Sequence, residues 1–425
     1  LPESIVFQAE WTEENQHLQE TGYYNFSITE IFFRALFDPL FVFKLLLKPC
    51  IRPLVGRAVL GSQGFSQEMI ENAKRTWKIN WEVPIEKYIN LLKAQDDLDG
   101  RMRMPSYYEN IRKPVIDRRR FFTPTPLDLT TPDGAQVRGM FYKTTKTEAL
   151  DIPTIVIFQP NAGIHRQGMV NPFLDFGVEH RTPFNVAIID YRGTGDSIIG
   201  ADPNKQRLEF ANQLILDGDT LHQCLQKGLG VSENNIRYYG YSLGGAVSAH
   251  VRALHHSNAP YVNSHSFTTL NDLLHKSDFV DRSVELLQKL LRGERAAPPG
   301  MELNEENQEG GGGCCCCSLL AWVLSADWLR RFATDLITFC DLDFNVPKAL
   351  DEIDENHVLV VHDEEDEFMQ FAGTYQCVPE ERQLAVTHNR EDGNHHMSLF
   401  HEMVIDDESR ELAGPHILSF LTQKV

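Results

Sequence analysis

A serine stands between glycines in Gly240-Tyr241-Ser242-Leu243-Gly244, followed by Gly245, inside the stretch IRYYGYSLGGAVSAH from Ile236 to His250. The G-x-S-x-G spacing suits a nucleophile on a sharp strand-to-helix turn, where the residues two before and two after the serine must lack bulk for the turn to close. A serine hydroxyl is a weak nucleophile, so it needs a base within hydrogen-bond reach and an acid that fixes the tautomer of that base. The start of the following helix directs backbone N–H groups, that of Leu243 first, toward charge developing on a substrate oxygen. The chemistry implied is attack on a carbonyl carbon through an acyl-enzyme. The same pattern arises by chance in glycine- and serine-rich turns, so its weight depends on the elements around it.

Those elements read as an α/β domain that begins near residue 118, after which short β-type runs replace helical periodicity. Pro126 to Tyr142 (PLDLTTPDGAQVRGMFY) places Asp133-Gly134 between two alternating segments, the signature of a hairpin. Buried strands follow at Thr154 to Phe158 (TIVIF), ending in the loop QPNAG from Gln159 to Gly163, and at Asn185 to Asp190 (NVAIID), running into Tyr191-Arg192-Gly193-Thr194-Gly195-Asp196-Ser197. A helix from about Leu208 to Gly228 leads to the strand before Ser242, and Ala246 and Ala249 let the next helix lie close to the sheet. Continuous apolar strands alternating with helices predict a mainly parallel, doubly wound sheet covered on both faces.

From about residue 118 to 272 these motifs resemble the α/β-hydrolase superfamily. QPNAG is similar to its HGNAG-type loop, DYRGTGDS to its DYRGxGxS segment and GYSLGG to its nucleophile elbow, in matching order and spacing. The resemblance implies a serine hydrolase with chain order Ser, acid, His. His357 to Val361 (HVLVV) is an apolar strand followed by His362-Asp363-Glu364-Glu365-Asp366, and the family's strand-HGxxD pattern falls on Asp366 as the acid, with Asp363 next. Asp392-Gly393-Asn394-His395-His396, after a strand at Gln383 to Thr387, is similar to the family's GxGH. That register makes His395 the base and His396 its rival by one position. For the oxyanion, Leu243 supplies one donor, and the resemblance points to Asn161 for the second, with Ala162 next. Gln159-Pro160 replaces the family's His-Gly, and Pro160 has no N–H to give.

Outside these motifs, composition narrows the partners. A net charge of −20 argues against nucleic acid, and eight cysteines at irregular spacing argue for a reducing compartment rather than a disulfide framework. The first residues carry no signal-peptide pattern. Residues 1–117 read as a helical N-terminal region. In it, Ile31 to Leu47 is strongly apolar yet holds Arg34, Asp38, Pro39 and Lys44, which makes a poor membrane span. With Lys48, Arg52 and Arg57 the segment 31–57 suits either peripheral contact with an anionic membrane or a helix packed on the domain. The long helical N-terminus is similar to that of the hydrolase-like family named after chlamydial proteins, which includes secreted effectors of intracellular bacteria.

A lid or insertion is expected at about 273–345, containing a proline-, glycine- and glutamate-rich stretch, Glu294 to Gly313, and four adjacent cysteines, Cys314 to Cys317. S-acylation of those cysteines stands against low-complexity drift in a loop. The expected arrangement is thus an α/β-hydrolase domain over 118–425, cleaving an ester or thioester, with a lipid or acyl ester foremost. No metal or cofactor is implied. The competing expectation is a non-catalytic hydrolase-fold module that binds a membrane or a partner protein.

Overall fold

The computed structural model describes residues 3–19, 60, 67–82, 118–146, 151–161, 163–167, 169–276, 343–366, 369, 372–388, 403–406 and 411–423. The strands are β1 (Ile5–Gln8), β2 (Phe122–Thr130), β3 (Gln136–Thr144), β4 (Thr154–Phe158), β5 (Asn185–Asp190), β6 (Ile236–Tyr241), β7 (Tyr261–Ser264), β8 (Val358–His362) and β9 (Gln383–Ala385), with β4, β5 and β8 on the apolar runs. They join into one sheet of order β1-β2-β3-β5-β4-β6-β7-β8-β9. Only β3 runs against its neighbours; the other pairings are parallel. At its centre β4, β5 and β6 are buried at every position, as parallel strands covered on both faces must be. A small second sheet joins β10 (Thr387–His388), β11 (Met403–Asp406) and β12 (Glu411–Leu412).

Helices cover both faces. On one lie α1 (Gln67–Glu82), α2 (Asn171–His180) and α7 (Ala413–Thr422), contributing Trp77, Phe173 and Ile417 to a core with Ile155, Ile188 and Tyr239. On the other lie α3 (Asn212–Gln223), α4 (Leu243–Leu254) and α6 (Val346–Asp351), packed on Val156, Ala187 and Tyr238; α5 (Leu270–Lys276) follows β7. With the strand order and the serine turn between β6 and α4, this is the α/β-hydrolase fold.

The Asp133-Gly134 hairpin forms as expected, closed by the Thr131 N–H donating to the Ala135 carbonyl at 2.9 Å, with Gly134 at φ 88, a left-handed turn conformation that favours glycine. Arg192 of the DYRG segment is fully buried and joins three elements. Its guanidinium donates to Asp217 of α3 at 2.7 and 2.9 Å and to Asp133 of the hairpin at 2.6 Å.

One N-terminal element differs from the helical expectation. Ile5–Gln8 is a strand, pairing in parallel with Leu127 to Thr130 at the sheet edge. Beyond it Asn15, fully buried, donates to Asp219 at 2.7 Å, so this stretch packs into the domain. Residues 31–57, the cysteines 314–317 and nearly all of the expected lid lie outside the described residues. Among the described residues no helix is long and apolar enough to cross a membrane.

Candidate active site

Ser242 occupies the turn between β6 and α4 with φ 52 and ψ −121, a conformation that L-residues rarely adopt. The glycines around it are there for lack of room. A Cβ on Gly240 would overlap the Ser248 hydroxyl, one on Gly244 the carbonyl oxygen of Phe158, and one on Gly245 the side chain of Ser266. The serine is 7% exposed, at the C-terminal edge of the sheet rather than deep in either core. Leu243 is the first residue of α4, which places its N–H at the helix start, where unsatisfied donors collect.

The QPNAG loop packs directly on that helix start, since the carbonyls of Phe158 and Gln159 are what a side chain at Gly244 would strike. Both expected oxyanion segments are therefore adjacent. Pro160 fits because its carbonyl, rather than a missing N–H, is used: it accepts the Gly163 N–H at 3.0 Å and closes a turn through Asn161. Asn161 is half-buried in that turn. Ala162 lies outside the described residues.

Two strands further along the same edge, β8 ends at His362 and the acidic run turns. Asp363 accepts the Glu365 N–H on Oδ1 at 2.8 Å and forms the turn that carries Asp366. Asp366 is fully buried, with Oδ1 accepting the Met369 N–H at 3.0 Å. Asp363 and Asp366 follow the end of β8, at the edge of the sheet that also carries Ser242. Burial holds the His362 imidazole below its usual range, against the pull of Glu364 and Asp363, and its ring stacks on Tyr375 with centroids 4.3 Å apart.

His395 and His396 lie outside the described residues, but the flanks of their segment do not. The Val386 N–H donates to the His362 carbonyl at 2.8 Å, which roots β10 beside the acid turn, and β10 pairs with β11 through Thr387 with Val404 and His388 with Met403. Among the described residues no group of three or more His, Cys, Asp or Glu side chains is arranged to hold a metal ion.

Two buried features at this end of the sheet escaped the sequence reading. His265, directly after β7, is buried with φ 49, its ring stacked on Tyr241 at 5.3 Å and its Nδ1 3.0 Å from the Ser264 hydroxyl. His165 and Arg166, just beyond the QPNAG loop, join Asp190 and Asp196 in a charged cluster. No motif marks either one. The only available signal was the position of each at the exit of a core strand or loop.

No family model matches the sequence, and no curated protein does. Among solved structures, an esterase of Pyrococcus furiosus is similar with a TM-score of 0.37 at 14% identity, over 59% of this chain and 73% of its own. Est1E of Butyrivibrio proteoclasticus, solved with ferulic acid bound, gives 0.36 at 14% identity over 69% and 96%. An acetyl xylan esterase of Paenibacillus sp. R4 gives 0.33 at 14% identity over 60% and 74%. The α/β-hydrolase fold of this chain rests on its own sheet order and on the strained serine turn between β6 and α4.

Proposed function

We propose that the protein is a serine hydrolase that cleaves an ester or thioester through an acyl-enzyme on Ser242. The observation that carries this reading is the backbone of Ser242, held at φ 52 and ψ −121 by three glycine positions with no room for a side chain. Strain of this kind persists only where the surroundings over-determine it, and it clusters at functional sites. In the proposed reaction His395 takes the proton of Ser242 as Oγ adds to the carbonyl carbon. The N–H groups of Leu243 and Asn161 hold the oxyanion, and Asp366 orients the imidazole and stabilises its charge. Collapse of the tetrahedral species breaks the bond to the alcohol or thiol, which leaves with the proton from His395. Water, deprotonated by His395, then attacks the acyl carbonyl, releasing the acid and restoring the serine.

An apolar and basic segment at 31–57 and a long insertion in the sequence between β7 and β8 favour a lipid or other acyl ester as substrate, with peripheral membrane contact through 31–57. The test is hydrolysis of p-nitrophenyl esters of increasing chain length by the full chain and by Ser242→Ala. Turnover that rises with chain length and vanishes in the variant is expected. Turnover that survives in Ser242→Ala would overturn the assignment of the nucleophile.

A further inference from the structure

The loop expected to supply the second oxyanion donor is held from outside itself. Gln159, its first residue, has a buried side chain whose Nε2 donates to the Ile189 carbonyl at 2.5 Å and to Asp190 Oδ1 at 3.2 Å. Asp190 ends β5 and is buried. Its Oδ1 accepts the His165 N–H at 2.5 Å, while Oδ2 accepts the Asp196 N–H at 2.9 Å and faces His165 Nδ1 at 2.7 Å. Burial alone would raise this carboxyl, but the His165 imidazole and the two N–H groups outweigh burial and hold it below the usual carboxylate range. Gly195, at φ 46, leaves the space the carboxylate fills, since a Cβ there would overlap it.

From this cluster the contacts continue to α1. Arg166 donates Nε and Nη2 to Asp196 Oδ2, at 2.8 and 2.5 Å, and its guanidinium lies over the ring of Trp77, 4.7 Å from the centroid. Lys74, one turn before Trp77 on α1, brings Nζ to 3.8 Å from Asp196 Oδ1. A guanidinium fixed by two hydrogen bonds and an aromatic face has little freedom to move. We propose that Arg166 is a positioning residue for the oxyanion loop and that Trp77 and Lys74 hold it there, so that α1 is part of the catalytic scaffold. This inference rests on the acyl-transfer reading of Ser242.

An oxyanion donor acts only within about 3 Å of its target, and a displacement of roughly 1 Å costs on the order of a hundredfold in rate. The experiment compares wild type, Arg166→Ala, Arg166→Lys and Trp77→Phe in the full chain. It measures kcat and KM on p-nitrophenyl butyrate, Ki for a trifluoromethyl ketone that mimics the tetrahedral species, and the melting temperature. Arg166→Ala should lower kcat about 10- to 100-fold with little change in KM, and raise Ki by the factor lost in kcat/KM. Arg166→Lys should recover part of the loss, and Trp77→Phe should show a smaller loss of the same kind. A folded Arg166→Ala with wild-type kcat, or with a loss confined to KM, overturns the proposal. Should Arg166→Ala fail to fold, unchanged kcat and Ki in both other variants overturn it. Wild type that is active while Arg166 proves indifferent removes this inference alone; wild type that neither turns over ester nor reacts at Ser242 removes the function beneath it.

Discussion

Ser242 donates its backbone N–H to the carbonyl oxygen of Ser264 at 2.9 Å, which anchors the strained turn to the end of the neighbouring strand. The next step along the rim repeats the arrangement. His265, also at positive φ, donates its N–H to the Val361 carbonyl at 2.9 Å, just before the acid turn. Such conformations cost about 1–3 kcal/mol each, so the surrounding packing must hold them. The edge from the serine to Val361 is thus a continuous hydrogen-bonded ledge, and it sets the spacing between the proposed nucleophile and the turn that carries Asp366.

Gly244→Ala should lower both the melting temperature and the turnover. The added methyl overlaps the Phe158 carbonyl, so the QPNAG loop and the helix start must part, at about 1–3 kcal/mol by analogy with overpacked cores. Thermal unfolding and ester turnover check this. A variant with wild-type values in both would contradict the tight approach of loop and helix.

Asp366→Asn should reduce kcat by roughly 10⁴, the scale of a triad acid replaced by its amide. Asp363→Asn should cost far less, because an amide oxygen can still accept the Glu365 N–H and preserve the turn. Steady-state kinetics on both variants decide the acid, and the larger loss at Asp363 would move the assignment there. By the same logic His395→Ala should abolish turnover and His396→Ala should leave most of it; the reverse result would shift the base by one position.

The central strands were legible in the sequence because TIVIF and NVAIID have continuous apolar centres, and because IRYYGY is rich in β-favouring Ile and Tyr despite Arg237 and leads straight into the glycine-flanked serine; all three strands are buried at every position. The elbow was legible because close approach leaves glycine no substitute at Gly240, Gly244 and Gly245. Ile5–Gln8 was not, since four residues of alternating burial carry little local signal and their partner lies more than a hundred residues away. Arg166 was hidden for a related reason: its role comes from the convergence of α1, the loop after β4 and the exit of β5, and no local pattern encodes that meeting. Asp363 and Asp366 were readable only through their register behind a core strand.

Stability should fall as the medium becomes acidic, and His222 should account for part of the slope. Its ring is buried, with Nδ1 2.8 Å from the Tyr238 hydroxyl, and it stacks 3.6 Å from His255, which itself lies 2.7 Å from Asp219. Burial, with the nearby His255, pushes its pKa from 6.5 down to about 3. Between those values the unfolded chain binds a proton that the native protein refuses. The stabilisation is therefore fully present above pH 6.5 and is lost toward pH 3, at up to about 1.4 kcal/mol per pH unit. His222→Asn, which keeps an acceptor for Tyr238, should show a shallower fall in melting temperature from pH 7 to pH 5 than wild type. Equal slopes would contradict the assignment.

The most direct measurement is treatment of the folded full chain with a fluorophosphonate, followed by intact-mass and peptide mass analysis. A single adduct on Ser242, absent from a folded Ser242→Ala variant, is the expected result. Folded wild type that takes up no adduct, or takes it up on a different serine, would contradict Ser242 as the nucleophile and leave a hydrolase fold without hydrolase chemistry.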